Sequence, residues 1–126
     1  MNLEKVIFGF FILLAATLNF GFVYGDIDNP EHHHLWELFA AIVVNLIATV
    51  LKFGDRTHVG AVHLASSLVA LLQLIAAALV WFFAGRDGAP MTPSTMASIV
   101  SLSAGALLAN IVSVIIMVVE TTMQRR

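Results

Sequence analysis

The chain has no cysteine, which excludes disulfides, thiolate-bound metals, iron–sulfur clusters and cysteine nucleophiles, and leaves the redox compartment undetermined. Charge is also scarce. Asp, Glu, Lys and Arg make up 11% of the 126 residues, against about 25% in a soluble domain. A net charge of −2 with six basic residues leaves no electrostatic footprint for nucleic acid. No nucleophile–base pair is visible, so neither an enzyme nor a cofactor is expected.

Apolar sequence is what the chain has in quantity. Hydrophobic residues make up 60% and the mean hydropathy is +0.93. A surface with so few charges suits lipid, so the chain reads as an integral membrane protein. A span needs about 20 apolar residues, which allows about four crossings. The fold class expected is all-α, a single four-helix transmembrane bundle with helices at about 6–24, 35–53, 59–85 and 96–120. The first run, Val6 to Val23, starts close to Met1 with Lys5 as the only basic residue before it, and reads as a retained helix rather than a cleaved signal.

The breaks are turn chemistry. Asp28-Asn29-Pro30 interrupts the chain after the first run. Gly54-Asp55-Arg56-Thr57-His58 makes helices two and three antiparallel neighbours. Arg86 to Pro93 precedes the fourth helix, for which Ser94 or Thr95 is a suitable N-cap. Orientation follows from Lys and Arg. With the N-terminus inside, Lys5, Lys52, Arg56, Arg125 and Arg126 are cytoplasmic and only Arg86 is outside. Both termini are therefore expected in the cytoplasm, in a multi-pass protein of the cell's inner (plasma) membrane. The bias argues against dual topology.

Four amides, Asn19, Asn45, Gln73 and Asn110, lie within the spans. An amide in hydrocarbon needs partners, so these face protein or water. They could line an ion path or simply fix helix register. Ala41-x-x-x-Asn45 and Ala106-x-x-x-Asn110 match at an offset of 65, with no wider repeat. The loop after helix one gathers Asp26, Asp28, Glu31, His32, His33 and His34, followed by Glu37. Of these Asp26, Asp28, Glu31, His32, His34 and Glu37 are candidates for an outer cation vestibule or metal site; the alternative is a solvated loop. His63 reads as a satisfied interhelical histidine. On the fourth helix Ala97, Ser101, Gly105, Ala109 and Ser113 recur every four residues, a small-residue face for packing or self-association.

Tyr24-Gly25-Asp26-Ile27-x-x-Pro30, followed by Leu35-Trp36 and an apolar helix, resembles the filter and inner helix of potassium channels over residues 17–53. The resemblance implies cation conduction, with Tyr24 and Gly25 beside the ion path. The stretch departs from that family at Val23, where its first filter glycine would stand, and at Gly21, in place of its threonine. Otherwise the chain resembles small bacterial four-helix membrane proteins. The functional expectation is an oligomeric cation channel or ion-handling protein for monovalent or divalent cations. The competing one is a non-conducting accessory subunit of a larger membrane complex. The partners expected are the lipid bilayer and either further copies of the chain or a membrane subunit.

Overall fold

A computed structural model describes the chain except residues 1, 2, 27, 28, 30, 32, 56, 89, 125 and 126, and the side chains of residues 87 and 124. Four helices account for most of the described residues: α1 (Leu3–Val23), α2 (Leu35–Lys52), α3 (His58–Ala84) and α4 (Pro93–Gln124). All four are long and apolar enough to cross a membrane. The chain is a multi-pass integral membrane protein. Each helix packs on its two neighbours, α1 on α2 and α4, and α3 on α2 and α4. One end of the bundle carries the N-terminus, the α2–α3 turn and the end of α4; it is called here the termini end. The α1–α2 and α3–α4 connections form the loop end.

Most of the buried positions share one period, with Gly9, Val44, Thr49 and Val100 buried beside it. Those on it are Phe8, Ile12, Ala15, Asn19 and Phe22 on α1, and Leu38, Ala41, Asn45 and Ala48 on α2. On α3 they are Gly60, His63, Ser67, Ala70, Leu74 and Ala77; on α4, Met96, Ile99, Ser103, Ala106, Asn110 and Ser113. Steps of three and four alternate on every helix, the seam spacing of left-handed helix bundles. The opposite faces are open to lipid, with Phe10, Leu72, Phe82 and Leu108 among the exposed side chains.

The start of α4 differs from expectation for a local reason. α4 begins at Pro93 because proline is suited to a first helical position. Thr92, rather than Ser94 or Thr95, supplies the cap: its Oγ1 accepts from the Thr95 N–H at 3.1 Å. The four-residue stripe does not coincide with the buried seam of α4. Each four-residue step rotates about 40° on a 3.6-residue helix. The stripe therefore winds from half-buried Ala97 through exposed Ser101 and half-buried Gly105 and Ala109 to buried Ser113.

Candidate functional site

The seam positions are apolar at the loop end. Phe22, Leu38, Met96, Ile99 and Val100 belong to one buried cluster, with Trp81 packed against it, which continues down the bundle through Ala77, Ala41, Leu74, Ala106 and Ala70. A smaller cluster at the termini end holds Phe8, Ile12 and Ala48, with Met117 against it. Polar side chains take the seam positions elsewhere. Asn19, Asn45, Thr49, His63, Ser67, Ser103, Asn110 and Ser113 are all buried, so every helix contributes at least one.

Contacts at the termini end fix the relative heights of the helices. Lys5 on α1 pairs with Glu120 on α4 at 2.9 Å. The Phe8 ring meets the His63 ring across the bundle axis, with centroids 4.9 Å apart, and Lys52 Nζ lies 4.3 Å from the Phe8 centroid. At 1.5 Å of rise per residue from these anchors, His63 is about 5 Å deeper than the Lys5–Glu120 pair and Ser67 and Ser113 about 10 Å. On the same basis Asn45 and Asn110 are about 15 Å deep, Asn19 about 21 Å and Ser103 about 25 Å. The polar groups thus form a column, one step every helical turn or so. Ionic pairs lie at its foot, and Ser103, its last member, stands level with Phe22 at its head.

Most of the column's polar atoms have no partner in the protein. Both amide atoms of Asn19 and of Asn110, the Asn45 Oδ1, the His63 Nδ1 and the Oγ atoms of Ser67, Ser103 and Ser113 are buried without a hydrogen bond. Asn45 is anchored by its other end: Nδ2 donates to the Ala41 carbonyl at 3.0 Å, which leaves Oδ1 as an open acceptor. Thr49 Oγ1 donates to the Asn45 carbonyl at 2.8 Å. A buried, unpartnered polar group costs about 1–3 kcal/mol. A series of them on four facing helices is best satisfied by water or a polar solute between the helices.

At the loop end, Asp26, Glu31 and His34 are exposed and Glu37 is half-buried. The Glu37 carboxylate lies against Gly21, in the space a Cβ there would need. Asp28 and His32 lie outside the described residues. Among the described residues no three His, Asp or Glu side chains converge to hold a metal ion. His33 is the buried member of the histidine run, with 3% of its surface exposed. Its Nδ1 meets the Phe22 carbonyl oxygen and its Nε2 the Asp26 carbonyl oxygen, the latter at 2.7 Å. Tyr24 is 71% exposed and Gly25 has a positive φ of 111°. Gly21, Phe22 and Val23 belong to α1, so their backbone is helical, unlike the ring of inward carbonyls in a potassium filter.

Gln73 stands apart from the other amides. It lies half-buried on the α3–α4 flank against Gly105, its Oε1 2.7 Å from where a Cβ on that glycine would be. Together with Ala65, Ser66, Val69, Leu108, Ala109 and Val112 these two line an open groove of about 440 Å³.

The sequence matches one protein family over residues 32–121, from the foot of the loop through most of α4. The chain belongs to DUF6394, a family of unknown function. No curated protein and no solved structure matches it. The family's match takes in Asn45, His63, Ser67, Ser103, Asn110 and Ser113, while α1 with Asn19 precedes it.

The structure therefore brings Asn19, Asn45 and Asn110 together with Ser113 in one column, and leaves Gln73 outside it. Ser67, Ser103 and Thr49 join the column although the amide pattern alone does not point to them. The signal for the serines is the three–four spacing, which passes through Ser67 on α3 and Ser103 on α4; Thr49 lies next to the seam position Ala48. His63 is in the column with an open Nδ1, where a satisfied ring was expected.

Proposed function

We propose that this chain is an ion-handling membrane protein in which the polar column is a hydrated path for small cations. The observation that carries the reading is the set of buried, unpartnered polar atoms contributed by all four helices. Asn, Ser and Thr oxygens can replace part of a cation's hydration shell without the cost of a buried formal charge. Asp26, Glu31 and Glu37 at the loop end raise the local cation concentration. Both termini are cytoplasmic on this reading, which makes the acidic loop an outer vestibule. Because the column runs inside one bundle, each copy carries its own path, and no axis between copies is required.

A second reading has its own observation. The α3–α4 groove, with small residues on both walls and the half-buried Gln73 amide, offers a membrane subunit a docking surface. On that reading the protein is a non-conducting accessory subunit.

Cation flux through proteoliposomes holding only this chain separates the two. The path predicts flux from the purified protein, lowered at least about tenfold by Asn110→Leu, which swaps an open amide for an apolar side chain of similar size. Wild-type protein that is folded and passes no cation would favour the accessory role.

A further inference from the structure

The geometry points to a binding site for one monovalent alkali-metal cation in the middle of the column, built from the neutral side-chain oxygens of Asn19, Asn45, Ser67, Asn110 and Ser113. The motif Ala-x-x-x-Asn positions it. The motif occurs at Ala41–Asn45 on α2, at Ala106–Asn110 on α4 and again at Ala15–Asn19 on α1. All of these alanines and asparagines are wholly buried. α2 and α4 stand diagonally across the bundle and both run from the loop end to the termini end, so their motifs lie at equal heights. α1 runs the other way. Its alanine is therefore level with their asparagines, and its asparagine with their alanines.

Three layers follow from these heights. At about 15 Å from the Lys5–Glu120 pair, Asn45 and Asn110 stand on opposite sides of the axis, and buried Ala15 and Ala70 take the other two corners. Alanine fills little of a corner, which leaves the middle of this layer to the two amides. At about 21 Å Asn19 stands level with Ala41 and Ala106, and at about 10 Å Ser67 and Ser113 stand below the asparagines. Oxygens from all four helices thus come within about one helical turn of a single level. These oxygens are open. Both amide atoms of Asn19 and Asn110, the Asn45 Oδ1 and the Oγ atoms of Ser67 and Ser113 have no hydrogen-bond partner.

The sign of the ligand follows from Asn45. Its Nδ2 is spent on the Ala41 carbonyl, so it offers the axis an acceptor and no donor, which suits a cation and not an anion. The charge of the ligand follows from the absence of formal charge in the site. Along α2, Glu37 is about 12 Å from Asn45 towards the loop end. Along α4, Glu120 is about 15 Å from Asn110 towards the termini end, and it is paired with Lys5. His63 lies about 10 Å below the asparagine layer. Calcium and magnesium are held by carboxylates. Dehydration cost grows with the square of the charge, so a divalent ion costs about four times as much to strip as a monovalent ion of the same size. Neutral oxygens repay the smaller cost, as rings of carbonyls do for monovalent ions. The site deepens the function proposed above and rests on that reading for the cation's way in; its occupancy is measured without flux.

The side-chain amide signals of Asn19, Asn45 and Asn110 are recorded on isotope-labelled protein in lipid bilayers. Sodium or potassium chloride replaces N-methylglucamine chloride at constant ionic strength. The site predicts that all three signals shift saturably with at least one of the two alkali ions. Magnesium chloride at the same ionic strength should not reproduce the shift, and the amide of Gln73, outside the column, should not move. Ser113→Ala removes one oxygen and should raise the half-saturating concentration about tenfold. Amides that respond to neither alkali ion, as in a column that holds water only, overturn the site. A shift that magnesium matches, or that Ser113→Ala leaves at the wild-type concentration, overturns it too. Proteoliposomes that pass no cation while the titration behaves as predicted would overturn the ion path and leave the site standing. Cation flux with amides that do not respond would overturn the site and leave the path.

Discussion

Asp55 shows how much one side chain fixes in a chain with few charges. Its carboxylate accepts from the Thr57 N–H at 2.9 Å and the Thr57 hydroxyl at 2.7 Å, and lies 3.4 Å from Lys52 Nζ. The Thr57 oxygen in turn accepts from the Gly60 N–H at 2.9 Å and caps α3. The Thr57 hydroxyl first, then its N–H and the Lys52 charge, hold the carboxyl below the usual carboxylate range, against a smaller opposing effect of burial. A depressed carboxyl stabilises the fold fully above its unfolded pKa of about 3.9 and loses that contribution as pH falls through the lower folded value. Asp55→Asn should therefore flatten the loss of thermal stability expected below about pH 4, as measured by unfolding in detergent. Gly60→Ala should cost about 1–3 kcal/mol in the same assay, because its Cβ would fall on the Asp55 carboxylate. Unchanged acid sensitivity in Asp55→Asn would mean that other carboxylates set it.

At this scale some of the site is legible in the sequence and some is not. Asn19, Asn45 and Asn110 stand out because an amide inside an apolar span must find a partner. Ser67 and Ser103 do not, because a serine can bond its own helix, as Ser98 does with the Ser94 carbonyl at 3.3 Å. Nothing local separates His33 from His32 and His34. What selects it is the Phe22 carbonyl, which only the folded chain brings to it.

At the scale of elements the spans were legible because a membrane helix announces itself by length and hydropathy. The faces were harder to read, since nearly every position in such a helix is apolar and the usual contrast of polar and apolar sides is missing. The stripe from Ala97 to Ser113 is real in sequence, but its four-residue steps turn it out of the three–four seam that the bundle buries. This separates two residues that the stripe treats alike. Gly105 seats Gln73, whose Oε1 and Nε2 lie within 2.9 Å of where a Cβ would stand. Ser101 is exposed. Gly105→Leu should destabilise the α3–α4 pair by about 1–3 kcal/mol or prevent folding, while Ser101→Leu should be tolerated within about 0.5 kcal/mol. Thermal unfolding of both variants in detergent tests this, and equal sensitivity at the two positions would contradict the placement of α4.

The whole molecule is a layered object. An apolar lid of Phe22, Leu38 and Met96 sits above a polar column, and the column stands on the Lys5–Glu120 and Lys52–Asp55 pairs. Lys5 and Lys52 lie at the termini end and Arg86 at the loop end, while Arg56, Arg125 and Arg126 lie outside the described residues. Among the described residues no Asp, Glu, Lys or Arg is buried in the column between lid and base. Its function depends on whether the open amides and hydroxyls are wet. Magnetisation transfer from water to the side-chain amides of Asn19, Asn45 and Asn110, recorded on isotope-labelled protein in lipid bilayers, tests this most directly. A hydrated path predicts rapid transfer to all three amides, at depths where the buried methyl groups of Leu74 and Ile12 receive little. Amides as dry as those methyl groups would contradict the account and leave the column as polar packing between helices.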